Sequence, residues 1–135
     1  MLEKNIHGTW ELRFENRIVI SKVHGATNQE ASQAWLQDVK NLVESSNEGL
    51  SVPWALLQDM SDWGIATLDM WERVNKNVDW MLHHNCSLVT IVFTKQIQKF
   101  AFDKGITNQS IVRFSFDYDE AYQTCLKALQ EDTKD

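Results

Sequence analysis

The chain has 135 residues, of which 43% are hydrophobic and 24% charged, with one proline and five glycines. This length and composition predict a single globular domain over residues 1–135 and exclude a disordered chain or a long linker. The net charge of −6 argues against nucleic acid as a partner, because binding phosphates requires clustered Lys and Arg. Residues 87–116 are the exception, with four basic residues against one acidic residue.

The beginning of the chain lacks the apolar segment of a signal peptide, and no stretch approaches the roughly 18 apolar residues that a membrane span requires. We therefore expect a cytoplasmic protein. Cys86 and Cys125 are too few for a disulfide framework and too far apart for a CxxC motif. We expect both cysteines to be reduced and buried.

The hydrophobic pattern predicts an α/β fold with elements in the order ββαβαβαβα. Alternating apolar and polar residues indicate half-buried strands, whereas apolar residues three or four apart indicate amphipathic helices. Strands that alternate with helices favour right-handed crossovers, so we expect a mixed β-sheet with parallel central strands covered by helices. The predicted strands are 10–14, 17–24, 53–60, 88–93 and 111–116, and the predicted helices are 27–46, 67–84, 95–104 and 117 onward.

Capping patterns and apolar stripes refine this prediction. Thr27 and Glu30 form a capping box before the first helix, and Asp117 with Glu120 repeats the pattern before the last. Trp35 falls on the apolar stripe of the first helix and is predicted to lie in the core. The inward side of the short third helix is predicted to consist of Ile97, Phe100 and Ala101.

The motifs of common enzyme classes are absent from the sequence. There is no G-x-S-x-G elbow, and the first strand is not followed by the closely spaced glycines that bind phosphates. His83 and His84 are adjacent, so their side chains diverge by about 100° on a helix; we interpret them as favourable charges at its C-terminal end rather than metal ligands. We predict no catalytic residue, metal site or cofactor, with a site dispersed along the sequence as the remaining enzyme alternative.

The predicted loop over residues 59–64 is the main candidate for a binding site. It follows a presumed central parallel strand, and open α/β sheets bind ligands beyond the carboxyl ends of such strands. Asp59, Ser61 and Asp62 could bind a cation or a donor group there, next to Trp63. The alternative is that Ser61 or Asp62 is a turn or cap residue.

Two aromatic residues do not fit the predicted stripes. Trp80 falls on the polar side of the second helix, and Phe102 falls opposite Ile97 on the third helix, beside Lys95 and Lys99. We expect both rings to be exposed, where they could bind a membrane or a partner surface. The alternative is that the chain's own loops, or the second subunit of a homodimer, cover them.

Two stretches resemble the SpoIIAA-like group of the STAS superfamily, the fold of bacterial anti-sigma-factor antagonists. They are ALLQDMSDW at 55–63 and VRFSFDYDEA at 112–121, within a resemblance that runs from about residue 17 to residue 129. Classical members switch partners by phosphorylation of a serine in an Asp-Ser-Ser-Gly type of turn at the start of the second helix. The matching stretch, IATLD at 65–69, offers only Thr67, which we interpret as the helix N-cap. The resemblance thus implies a regulatory protein partner without the usual serine phosphoswitch.

The SpoIIAA-like fold also resembles that of CRAL-TRIO lipid-carrier domains, which implies that a sheet under helices could hold an apolar ligand. Our leading hypothesis is a non-catalytic module that binds an apolar small molecule or lipid, with weak membrane association through Trp80, Phe102 and the loop around Trp63. The alternative is a regulatory protein-interaction domain that docks through residues 61–67. The candidate binding residues are Asp59, Ser61, Asp62, Trp63, Thr67, Trp80, Lys95, Lys99 and Phe102.

Overall fold

The computed structural model describes residues 6–64 and 66–132. The predictions above that concern residues 1–5 and Ile65 lie outside the described residues. The elements follow the predicted order ββαβαβαβα. The strands are β1 (Thr9–Glu15), β2 (Ile18–Gly25), β3 (Trp54–Trp63), β4 (Cys86–Val92) and β5 (Val112–Ser115), and the helices are α1 (Gln29–Glu44), α2 (Met70–Leu82), α3 (Gln96–Gly105) and α4 (Tyr118–Asp132). Within the described residues, every helix is too short or too polar to span a membrane.

One five-stranded sheet organises the fold, in the order β1-β2-β3-β4-β5. Strand β1 runs antiparallel to β2, and the remaining neighbours are parallel, which confirms the predicted mixed sheet. Asn16 and Arg17 link β1 to β2 with positive φ angles of 52° and 63°. Two consecutive positive φ angles are typical of the type I′ loop, whose twist matches that of a hairpin, so β1 and β2 form a tight hairpin.

Helices cover both faces of the sheet. The larger apolar cluster lies on the face covered by α1, α2 and α3, and a smaller one lies under α4. Trp35 of α1 is buried, as predicted, and its indole Nε1 donates to the Ser21 hydroxyl at 2.9 Å. Cys86 and Cys125 are unpaired and buried, also as predicted.

The first helix begins differently from the prediction. Asn28, not Thr27, is the N-cap residue of α1, because its side-chain oxygen accepts the backbone N–H of Ala31 at 3.0 Å. The Thr27 hydroxyl turns inward instead, accepting from Trp63 Nε1 and donating to Met70 Sδ, each at 2.9 Å. The predicted Thr27 capping box is therefore wrong, because the Thr27 hydroxyl that the capping box requires is bonded to side chains of the core.

Strand β3 is longer than its composition indicated. It continues to Trp63, so the predicted loop at 59–64 is wrong over most of its length. Parallel pairing with β2 extends to this end, where Asp62 lies opposite His24 after an irregularity in the register. Because neighbouring strands pair through backbone groups, this pairing overrides the low strand preference of Asp and Ser.

The side chain of Gln98 ties the start of α3 to the end of β3. Its Oε1 accepts the backbone N–H groups of Thr94 and Lys95 at 3.0 and 3.1 Å. Its Nε2 donates to the carbonyl oxygens of Met60 and Trp63 at 3.0 and 3.1 Å. A buried amide with four partners is fully satisfied, so Gln98 fixes which side of α3 faces the core.

This orientation reverses the prediction for α3. Phe102 follows Gln98 by one helical turn and is 5% exposed, whereas Ile97 and Phe100 are 61% and 62% exposed. The expectation of an exposed Phe102 and of inward-facing Ile97 and Phe100 is therefore wrong. Apolar residues occur on both sides of this short helix, and the hydrogen bonds of Gln98 decide between them.

We expect Gln98→Leu to lower the free energy of unfolding by about 2 to 4 kcal/mol, because the carbonyl groups of Met60 and Trp63 would lose a buried donor. Urea denaturation followed by circular dichroism measures the change. Gln96→Leu is the matched control: Gln96 is exposed on the same helix, and its replacement should change stability by less than about 0.5 kcal/mol. Equal losses in the two variants would contradict the role of Gln98.

A second prediction concerns Gly105, the last residue of α3. A Cβ atom there would lie 2.3 Å from Trp71 Cδ2, so we expect Gly105→Ala to destabilise the protein by about 1 to 3 kcal/mol. Helix propensity alone predicts the opposite effect, a gain in stability of about 0.5 to 1 kcal/mol. Chemical denaturation of Gly105→Ala alone and in a Trp71→Leu background separates the two effects. The loss should disappear in the double variant if the indole ring causes it.

Candidate functional site

Asp62 lies in a charged cluster at the carboxyl end of β2 and β3. Its Oδ2 is 3.2 Å from His24 Nδ1 and 3.7 Å from Lys22 Nζ. His24 Nε2 in turn is 2.7 Å from Glu11 Oε2 on β1. The carboxylate of Asp62 is thus shared among side chains of the neighbouring strand, all of them at least partly exposed to solvent.

Asp59 and Ser61 are half-buried and make local contacts. Asp59 Oδ1 accepts the backbone N–H of Ser61 at 3.0 Å, and the Ser61 carbonyl oxygen accepts the Thr94 hydroxyl at 3.4 Å. These contacts tie the end of β3 to its own backbone and to the residues just before α3. Within residues 6–64 and 66–132, no three His, Cys, Asp or Glu side chains group together as metal ligands.

Trp63 belongs to an internal aromatic cluster rather than to an exposed loop. It is 5% exposed, and its ring centroid lies 4.9 Å from that of Phe102 and 6.4 Å from that of Trp71. Phe93 adds a fourth ring, 5.5 Å from Phe102. The expectation of an exposed Phe102 ring is therefore wrong, and other aromatic rings of the chain cover both Phe102 and Trp63.

Trp80 is half-buried, so the expectation of an exposed ring is wrong here too. Its ring stacks on that of His84 with centroids 4.3 Å apart, and Lys40 Nζ of α1 lies 4.7 Å from its centroid. These side chains of the same chain therefore cover part of the ring. His84 Nδ1 lies 2.6 Å from the Trp80 carbonyl oxygen, and His83 Nδ1 lies 2.7 Å from that of Asp79, as expected for imidazoles at a helix C-terminus.

Thr67 is exposed in the segment before α2 but does not cap that helix. Its backbone N–H donates to the Thr27 carbonyl oxygen at 3.2 Å, and its hydroxyl donates to the Asp69 carboxylate. Helix α2 begins at Met70, with Asp69 in the N-cap position. The prediction of Thr67 as N-cap is wrong, because α2 begins three residues after Thr67 and Asp69 takes the N-cap position.

Burial makes both cysteines poor nucleophiles. Desolvation raises the pKa of the Cys86 thiol to about 12, and it also raises the pKa of Cys125, whose Sγ lies 3.6 Å from the Thr90 hydroxyl. A thiolate is the reactive form of cysteine, so at neutral pH both side chains remain protonated. They act as small apolar residues of the core.

Helix α3 presents an exposed apolar surface that the sequence pattern did not reveal. We call it the α3 surface: the exposed side chains of Ile97 and Phe100, with Lys95, Lys99 and Lys104 on the same helix or at its start. Lys104 Nζ lies 5.6 Å from the Phe100 centroid, and none of the three lysines forms an ion pair within the part of the chain that is described. The four-residue spacing of Gln98 and Phe102 could have revealed this surface. It places these two side chains on one face of α3, opposite the face that carries Ile97 and Phe100.

No family model and no curated protein matches the sequence. Solved structures do match, each over most of both chains. An anti-sigma factor antagonist from Mycobacterium paratuberculosis has 12% identity and a TM-score of 0.62, with 88% of this chain and 94% of that chain covered. An uncharacterised DUF3478-family protein from Shewanella loihica PV-4, with a SpoIIAA-like fold, has 13% identity and a TM-score of 0.60, with 88% and 95% covered.

The anti-sigma factor antagonist SpoIIAA in its unphosphorylated form is a third structural neighbour. It has 9% identity and a TM-score of 0.59, with 86% of this chain and 96% of that chain covered. At such low identities the likeness concerns the fold alone. The element order and mixed sheet of this chain agree with the fold implied by the resemblance at residues 55–63 and 112–121. The chain therefore has the SpoIIAA-like STAS fold found in anti-sigma-factor antagonists.

Proposed function

We propose that this chain is a non-catalytic regulatory domain that binds a protein partner through the α3 surface. This proposal follows the alternative hypothesis from the sequence and leaves out the membrane association of the leading one. Membrane association rested on exposed rings at Trp80 and Phe102, but Phe102 is buried and Trp80 is half-buried.

The main observation that supports this proposal is the outward position of the Ile97 and Phe100 side chains. Both side chains are more than 60% exposed, and they lie three residues apart, so they form one continuous apolar face. The hydrogen bonds of Gln98 hold this face toward solvent. Exposed aromatic and aliphatic groups inside a polar rim are the usual composition of a protein-binding surface.

The lysines indicate the chemistry of the partner. Lys104 Nζ lies 5.6 Å from the Phe100 centroid, and Lys95 and Lys99 lie at the start and on another side of the same helix, in a chain whose net charge is −6. Charge complementarity therefore favours a partner that brings an apolar group flanked by Asp or Glu. Leu68, which precedes α2, is a further exposed apolar side chain, 91% exposed.

The structural neighbours support this class of function. Two of them are anti-sigma factor antagonists, a name that describes regulation of another protein. Thr67 is the only hydroxyl residue within the segment that matches their phosphorylated turn, and its hydroxyl is bonded to Asp69. A phosphate at Thr67 would face that carboxylate, so we propose regulation by binding without the serine phosphoswitch.

The test is affinity capture with the purified chain in an extract of the organism that encodes it. We expect the double variant Ile97→Asp/Phe100→Asp to reduce the captured stoichiometric partner at least tenfold, because carboxylates would replace the apolar centre and repel an acidic rim. The matched control is Gln29→Asp/Gln33→Asp, on two exposed positions of α1. Quantitative mass spectrometry measures the partner, and circular dichroism checks that each variant is folded.

Two results would contradict the proposal. One is a partner that binds the Asp double variant as well as the unchanged chain. The other is co-sedimentation of the chain with vesicles containing phosphatidylserine, lost in the same variant, which would make the α3 surface a membrane-binding site.

A further inference from the structure

We infer that the chain also binds a small, neutral and largely apolar molecule with hydrogen-bond donors, in an internal cavity between the sheet and helices α1 and α2. The cavity has a volume of about 70 Å³. Its wall includes Leu56 and Val89 from the sheet, Ala31 from α1 and Val78 from α2. The inference does not rest on the proposed partner of the α3 surface, because neither Ile97 nor Phe100 lines the cavity.

Asn77 supplies the first polar group of the cavity. It is 2% exposed, and its Nδ2 donates to both the carbonyl oxygen and the hydroxyl of Ser32, at 3.1 and 3.0 Å. The Ser32 carbonyl oxygen can only accept a hydrogen bond, so this contact fixes which end of the Asn77 amide faces Ser32. Asn77 Oδ1 is left buried without a hydrogen-bond partner among the described residues.

Gln58 supplies the second polar group. It lies on β3, in the middle of the sheet, and it also lines the cavity. Its Oε1 is likewise buried without a hydrogen-bond partner among the described residues. A buried acceptor without a donor costs about 1 to 3 kcal/mol, so two such acceptors on residues that line one apolar cavity favour an occupant that donates hydrogen bonds.

Methionines make the wall of the cavity adaptable. Of the four methionines in the chain, Met60, Met70 and Met81 line it. Methionine has three flexible torsions and fills irregular space, so the cavity can enlarge without a change of backbone. A rigid apolar cavity of about 150 Å³ binds benzene, so a single aromatic ring requires the methionine side chains to move and roughly double the present volume of about 70 Å³.

The two acceptors also define which molecules should be rejected. A hydrocarbon would leave both oxygen atoms unpaired, and an anion would face two acceptors in an apolar surrounding. The matching class is a neutral ring that carries an O–H or N–H group, such as a phenol or an indole. Half-buried Trp10, Ser32 and Val74 belong to the wall, so the cavity reaches the surface on this side.

The test is titration of the ¹⁵N-labelled chain with phenol, indole, toluene and benzoate, followed by NMR. We expect saturable shifts at residues around the cavity for phenol and indole, with at least tenfold weaker binding of toluene and benzoate. The purified chain is used alone, so the result does not depend on whether a protein docks on α3. Ordered water as the sole occupant, with no saturable shift for phenol or indole, would overturn the inference, as would equal binding of toluene.

Variants locate the site. Asn77→Leu should reduce phenol binding at least tenfold and remove the preference over toluene, because it deletes one acceptor. Ala31→Leu adds three carbon atoms inside the cavity and should abolish binding of both phenol and toluene. This variant keeps the inference testable if Asn77→Leu does not fold. Gln37→Leu, on the exposed side of α1, is the matched control and should bind phenol like the unchanged chain. Undiminished phenol binding in Ala31→Leu would place the site elsewhere and refute the inference.

Discussion

One buried amide, that of Gln98, controls the part of this structure on which the proposed function depends. The end of β3 leaves the Met60 and Trp63 carbonyl oxygens to be satisfied, and the start of α3 leaves free N–H groups at Thr94 and Lys95. The two ends of the amide meet both needs at once. Rotating α3 about its axis would leave these groups without partners, so their hydrogen bonds select one face of the helix over the other.

The aromatic cluster follows from the same choice. With Gln98 inside, Phe102 reaches Trp63 and Trp71, and the backbone at Gly105 lies directly against the Trp71 ring. Ile97 must then face solvent. The apolar α3 surface is therefore the other side of a well-packed core, rather than a defect of packing.

Much of the fold could be predicted from the sequence, because it depends on periodicity. Strand alternation in β1, the stripe containing Trp35 and the order of strands and helices are all local patterns, and the structure confirms them. The hairpin loop at Asn16 and Arg17 is equally local. The capping contact at Asp117, whose Oδ1 accepts the N–H of Glu120 at 3.1 Å, also agrees with its sequence pattern.

The candidate site was less predictable, because distant partners determine it. Gln98 bonds to residues 35 and 38 positions earlier in the chain, and no pattern within α3 reveals them. Trp80 is covered partly by Lys40 of another helix, and the polar end of β3 is held by pairing with β2. The same limit applies to Asn77 and Gln58, which a sequence pattern places on a helix and a strand without showing that both reach one cavity.

Helix α3 also joins two places that the chain could use to bind. Phe102 contributes to the wall of the internal cavity, and Phe100 stands on the outer surface two residues away. Because Trp71 rests against the bare backbone of Gly105, the helix has little room to shift independently of α2. A molecule that displaces Phe102 would therefore act on the outer face as well. Linkage requires the effect to be mutual: whatever binds outside would change the affinity inside by the same factor.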